Sequence, residues 1–298
     1  MAWFMLSYLP MVPSAKYRCV FRKLGCISAV AAIMITAMLT VAVARAETSS
    51  FSNNTSTRRT YWQVETTANF RVFHNDAVMG PAVARMAEKL RSKQLQLWTG
   101  KTKATHWRVP CDVYLYGSQE RMILMTGGHS KAGSAVIRPS RLSPGRILRR
   151  KVNLAADDHA LMRSTLPHEI THLVLGDLLG GDVPRWANEG AATLAESKGK
   201  QNYYRRVVRR FMRVKQVYGD ADLMAMKAYP EGRYQHLFYA QSSAIVRYLL
   251  SRRPRTSFVN FLKRAQKHGY PWALLRTYGL TDFEELSQGW KGRIIRGN

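Results

Sequence analysis

Strand-like and helix-like segments occupy different parts of this chain, and that segregation limits its fold more than any other feature. Residues 68–74, ANFRVFH, alternate in polarity, and Val109 to Tyr116 places Val113 and Leu115 on one face. Lys151 to Ala155 is a third, shorter strand candidate. One helix interrupts this part: Val83, Met86, Leu90 and Leu97 recur at helical spacing within 81–97. From about residue 160 the periodicity becomes helical and predicts helices over 160–176, 186–197, 202–218, 233–251, 256–267 and 271–278. Gly219, Pro230, Pro254 and Gly269 separate them. Residues 126–150 are rich in Gly, Ser, Pro and Arg and read as a loop around a short apolar piece, Ala135-Val136-Ile137. Strands gathered first and helices after predict an α+β class.

Such a body must hold together by packing alone. Of the three cysteines, Cys19 and Cys26 lie near the start and Cys111 stands by itself, so the body has no internal disulfide and no C-x-x-C ligand pair. The 298 residues are 46% hydrophobic, which is enough for a buried core and too much for a largely disordered chain.

Residues 1–46 read as an address. Four bases between Lys16 and Lys23 precede an uncharged apolar run, Leu24 to Ala44, and Ala44-Arg45-Ala46 offers the small residues that a signal peptidase reads. This is a signal peptide or, because the run is long enough to span a bilayer, an uncleaved signal anchor. Both readings export the body to a periplasmic, extracellular or envelope-anchored position. A polar linker over 47–64 follows. The body then divides into 65–197, with the site described below, and a helical part over 198–298.

Charge narrows the surroundings. The chain carries 46 Lys+Arg against 19 Asp+Glu, a formal charge of +27, which favours anionic partners. Within 202–218, Tyr204, Val207, Val208, Phe211 and Val214 fall on one side and Arg205, Arg206, Arg209, Arg210 and Arg213 on the other. That face is either plainly solvated or suited to an anionic envelope polymer or a membrane surface. Export, and the lack of any recognised module, disfavour nucleic acid.

Residues 168–172 read His168-Glu169-Ile170-Thr171-His172. On a helix the two histidines stand one turn apart on one face and can share a zinc ion. Glu169 then lies beside the metal, where a carboxylate can take a proton from attacking water. Catalytic zinc needs a third protein ligand and an open position. Glu189, within Trp186-Ala187-Asn188-Glu189-Gly190, is placed to supply it if Gly176, Gly180, Gly181 and Pro184 turn the chain back. Small residues Gly190, Ala191 and Ala192 would let the two helices approach closely.

With these residues the chain resembles the gluzincin metallopeptidases, specifically the peptidase MA-like group. The matching segments are Leu166-Pro167-His168-Glu169-Ile170-Thr171-His172, Pro184-Arg185-Trp186-Ala187-Asn188-Glu189-Gly190 and Tyr239-Ala240-Gln241-Ser242-Ser243-Ala244-Ile245-Val246. Looser matches at the front and tail extend the likeness from about residue 65 to 292. The resemblance implies a zincin-like α+β fold: a small N-terminal mixed sheet with helices, then a mostly helical C-terminal half, with the H-E-x-x-H helix within it. It implies one Zn2+ per chain on His168, His172 and Glu189, Glu169 as general base, and a peptide or protein substrate. It further implies Tyr239 as donor to the oxyanion, with His236 as the alternative donor. The family often has a second acid four residues after the glutamate ligand. That position is Thr193 here, which departs from the pattern, and Asp177 is the candidate substitute.

No G-x-M-x-N signature occurs within 130–155, which favours an endopeptidase over an aminopeptidase. The competing reading is a non-catalytic zincin-fold binding or envelope-scaffold protein that holds anionic partners through its basic surface. A metal-dependent hydrolase of a non-peptide amide or ester is a third.

Overall fold

The computed structural model describes residues 62–297, apart from 103–104, 129–132 and 144. The address read in 1–46, and the linker up to residue 61, lie outside the described residues. Among those described, no helix is long and apolar enough to cross a membrane.

A five-stranded mixed sheet opens the chain. Its strands are β1 (Gln63–Thr66), β2 (Phe70–His74), β3 (Cys111–Tyr116), β4 (Gly133–Pro139) and β5 (Ile147–Ala155), in the order β1-β2-β3-β5-β4. Strands β2, β3 and β5 run parallel, while β1 and β4 pair antiparallel at the two edges. A helix follows β2 and a shorter one follows β3: α1 (Met79–Thr99) and α2 (Gln119–Thr126). Parallel neighbours need such crossovers. Asp76 accepts hydrogen bonds from the amides of Val78 (2.9 Å) and Met79 (2.8 Å), satisfying donors at the start of α1. Ser118 caps α2 by accepting from the Arg121 amide.

Strand β1 begins inside the stretch read as linker. Strand β4 replaces most of the loop expected over 126–150, and β5 starts at Ile147 rather than Lys151. Strand β4 escaped the sequence pattern because it is an edge strand with few apolar positions. Its pairing with β5, from Gly133 opposite Leu154 to Pro139 opposite Ile147, is a tertiary event.

The remaining helices are α3 (Leu166–Leu178), α4 (Arg185–Thr193), α5 (Lys198–Arg213), α6 (Asp220–Ala225), α7 (Arg233–Arg252), α8 (Arg255–His268), α9 (Tyr270–Tyr278) and α10 (Phe283–Ile295). Helices α2, α6 and α10 were not anticipated as elements. Helix α10 starts at Asp282, whose Oδ1 accepts from the Glu285 amide at 2.8 Å. A π-helical turn over Leu161–Thr165 leads into α3, and Pro167 occupies the first turn, where its missing amide costs nothing.

One apolar core runs through strands and helices alike, from Phe70 to Ile294. Trp98, Trp186 and Trp290 are fully buried within it. Helix α3 packs on β4 and β5 on one side and on α1 and α4 on others, so the histidine helix is held from several directions.

Candidate metal centre

Helix α3 ends at Leu178, and Gly180 (φ 67°) and Gly181 (φ 91°) carry the chain through left-handed conformations that other residues resist. The chain reverses there and Pro184 opens α4. Gly190 does permit a close approach, but towards α7 rather than α3. A β-carbon at Gly190 would lie 2.6 Å from the carbonyl oxygen of Ser242. Helix α4 is thereby clamped against α7, with Glu189 aimed at the histidines.

The three expected ligands converge. Nε2 of His168 lies 3.4 Å and Nε2 of His172 3.6 Å from Oε2 of Glu189. One donor atom from each residue falls within 4.8 Å of the others, the one such His/Cys/Asp/Glu group among the described residues. The imidazole rings stand edge to face, with centroids 4.6 Å apart and planes at 86°.

Each imidazole is oriented from behind. Nδ1 of His168 sits 2.8 Å from Oε1 of Glu196, and Nδ1 of His172 sits 2.9 Å from Oδ1 of Asn188. Such outer partners fix the ring so that Nε2 faces the shared centre. Thr193 does not take this part; its hydroxyl is buried without a hydrogen-bond partner. Asp177 does not either. It accepts from Nε1 of Trp107 (2.9 Å) and pairs with Arg150, whose guanidinium and that of Arg91 lie over the Trp107 ring at 4.5 and 4.4 Å. Glu196 reaches His168 because α4 stops at Thr193 and the chain turns back before α5. Ser197 then caps α5, and its amide and hydroxyl both bond to the Ser164 hydroxyl just before α3 (3.2 and 2.9 Å).

Tyr229 completes the support, donating its hydroxyl proton to Oε1 of Glu189. Its ring stacks on Tyr239 (6.2 Å, 9°), which stacks on Tyr204 (6.0 Å, 27°). The Arg185 guanidinium lies over the Tyr229 ring at 4.6 Å. Tyr239 is thus gathered with the site. Burial, and then the neighbouring Glu189, Tyr229, Tyr204 and Glu169, push its hydroxyl well above the ordinary phenol range, so it is a proton donor at all ordinary pH. His236 is not gathered; its Nδ1 contacts the Tyr203 hydroxyl at 3.3 Å on an exposed surface. Sequence reasoning missed Tyr229, Asn188 and Glu196. Asn188 lay inside a quoted segment, next to Glu189, and that adjacency was its only signal.

Glu169 is buried, and burial raises its carboxyl pKa although His168 and His172 pull it down. Its Oε2 has no hydrogen-bond partner. Strand β4 passes close by: a β-carbon at Gly133 would lie 3.0 Å from Oε1 of Glu169. Burial also works against both Glu189 and His168, but their mutual attraction overrides it. Glu189 falls to about 2, under His172 and His168, and His168 rises to about 10, under Glu189 and Glu196.

Three carboxylates, Glu169, Glu189 and Glu196, are therefore buried together, and among the described residues none pairs with Lys or Arg. In a chain of net charge +27, that leaves the pocket short of positive charge by construction. Oε2 of Glu189 is buried between the two Nε2 atoms without a hydrogen bond. Two imidazoles and one carboxylate, each with an oriented lone pair, are a donor set that fits a divalent transition metal such as zinc. No protein-family model and no curated protein matches the chain.

Proposed function

We propose that the protein is an exported, zinc-dependent metallopeptidase of the gluzincin type, acting more on internal peptide bonds than on chain ends. The observation that carries this reading is the convergence of His168, His172 and Glu189 beside a buried Glu169 whose Oε2 has no hydrogen-bond partner. The zincin-like reading of the fold draws support from the mixed sheet whose antiparallel edge strand, β4, flanks the histidine helix. Export rests on the sequence of residues 1–46.

When bound, zinc acidifies water and polarises the scissile carbonyl. The side chains supply the rest. An extended substrate segment adds to the edge of β4, which brings its backbone alongside Glu169. Glu169, its pKa raised by burial, accepts a proton from the attacking water and returns it to the departing amine. Tyr239 donates a hydrogen bond to the oxygen that gains negative charge. Tyr229 holds Glu189, and Glu196 and Asn188 hold the imidazoles, so none of them has to reorganise during the reaction. A purely structural metal site has no use for the Glu169 carboxylate, which favours an enzyme over a binding or scaffold protein.

The test is hydrolysis of a mixed peptide library by protein carrying one zinc per chain. Activity disappears with a chelator and falls by about a thousandfold in Glu169→Gln, while zinc content stays unchanged. A zinc-loaded protein inert towards every peptide would refute the reading.

A further inference from the structure

Helix α5 does not present one uniformly solvated basic face. Between Glu196 and Asp220 the sequence has eight Lys or Arg residues and no acid. Part of this charge turns inward, where α5 packs against α7 and α10. Arg247 of α7 donates to Oε1 of Gln201 on α5 at 2.8 Å. One turn along α5, Arg205 reaches Oδ1 of Asn202 (2.9 Å) and the carbonyl of Gly297 just beyond α10 (3.5 Å). Arg209, a further turn on, donates twice to the Ile294 carbonyl (3.1 and 3.0 Å). Arg293 lies next to Ile294, and its Nε is buried with no hydrogen-bond partner.

Among the described residues no carboxylate pairs with these guanidiniums. Among the described residues only Arg71 and Arg150 form Lys- or Arg-to-carboxylate ion pairs. After burial itself, the groups that act most on Arg247 are other arginines: Arg205, Arg293 and Arg255. Like charges half withdrawn from water raise each other's energy. They also keep donors in reserve. A guanidinium has five N–H groups, and the contacts above use one on Arg247 and two on Arg205. Arginine forks match the oxygens of phosphate better than any other side chain does.

We propose that Arg205, Arg247 and Arg293 form a binding site for a phosphate-class dianion at the junction of α5, α7 and α10. The site is separate from the candidate metal centre and does not rest on the peptidase reading. Its ligand is inorganic phosphate or a phosphate monoester, free or carried as a lipid headgroup.

The experiment is a calorimetric titration of the full chain in detergent with inorganic phosphate. Ionic strength is held constant with chloride, and an uncharged chelator keeps metal out of the histidine site. One phosphate binds per chain. Arg247→Gln and Arg293→Gln each weaken binding about tenfold or more, while Arg213→Gln, on the exposed end of α5, leaves it unchanged. Circular dichroism verifies folding, and if Arg247→Gln fails to fold, Arg293→Gln carries the test. Vesicles of phosphatidic acid in phosphatidylcholine separate the sources: competition with inorganic phosphate assigns a headgroup, and its absence assigns the free ion. A response to phosphate no greater than to chloride, or equal binding by both variants and the parent, overturns the site.

Discussion

The pocket around His168 and the cluster around Arg247 lie on opposite sides of one glutamine. Gln201 donates through Nε2 to the carbonyls of Glu196 (2.7 Å) and Leu194 (3.1 Å), and its Oε1 accepts from Arg247. Among the described residues, three carboxylates gather on one side with imidazoles but no Lys or Arg as partners, and on the other several guanidiniums gather without an acidic one. The two imbalances differ in kind. In the pocket, donor atoms from rigid helices converge within 4.8 Å and are braced by Glu196, Asn188 and Tyr229. Such geometry selects by coordination. In the cluster, long side chains already bonded to carbonyls and amides retain spare donors, so selection there works by charge and donor number. Among the described residues, no Lys or Arg pairs with the carboxylates of the candidate metal centre, despite the excess of bases in the chain.

The largest effect that sharpens this contrast concerns the braces. Replacing Glu196 with Ala frees the His168 ring without removing a ligand. Zinc affinity falls by about 10- to 100-fold, as for outer partners elsewhere. Arg247→Gln, across Gln201, leaves zinc affinity within twofold of the parent, on the order of experimental scatter. Competition against a metal-sensing dye measures both. Equal losses in the two variants would mean that pocket and cluster are one electrostatic unit rather than two.

The pocket was more legible in the sequence than its braces, for physical reasons. His168, Glu169 and His172 depend only on helical periodicity, and Glu189 only on a chain reversal marked by glycines. Glu196 depends on where α4 stops. Counting four residues on from Glu189 assumes an unbroken helix and lands on Thr193, whereas the helix ends there and a turn returns Glu196 to His168. Tyr229 lies between α6 and α7, outside any periodic element, so nothing local could mark it. Strand β4 was hidden likewise, because Gly133-Ser134 and Arg138-Pro139 read as loop until β5 pairs with them. The sequence predicts a basic stripe on a helix over 202–218; the helix spans Lys198–Arg213, and the partial burial of Arg205 and Arg209 required α10, which the periodicity had not supplied.

Acidity separates the two regions next. In the metal-free pocket His168 holds its proton up to about pH 10, because Glu189 and Glu196 outweigh the effect of burial. A zinc ligand must be neutral, so binding expels that proton at any pH below this value. Apparent zinc affinity therefore rises about tenfold per pH unit from neutrality towards pH 9. The proton's own contribution to metal-free stability runs the other way: it is complete below the unfolded histidine pKa and disappears as pH rises through about 10. Arginines stay charged throughout, so phosphate binding at the cluster changes only as phosphate itself ionises. Zinc titrations at several pH values in a non-coordinating buffer measure the slope, and a flat profile would mean that His168 is already neutral in the pocket.

The smallest effect tests whether the arginines repel each other when no anion is present. Arg293→Gln removes one of the like charges acting on Arg247 and keeps much of the aliphatic stem. In low-salt buffer without phosphate, the variant is more stable than the parent by about 0.5 kcal/mol, the scale of a like-charge contact near a surface. Sodium chloride shrinks the difference because it screens the parent's repulsion more than the variant's. Phosphate reverses its sign, since the parent gains a bound dianion that the variant holds poorly. Urea unfolding under the three conditions resolves the sequence of signs. If the variant were less stable in all of them, Arg293 would be acting through its packing alone, and the cluster would carry no electrostatic strain for an anion to relieve.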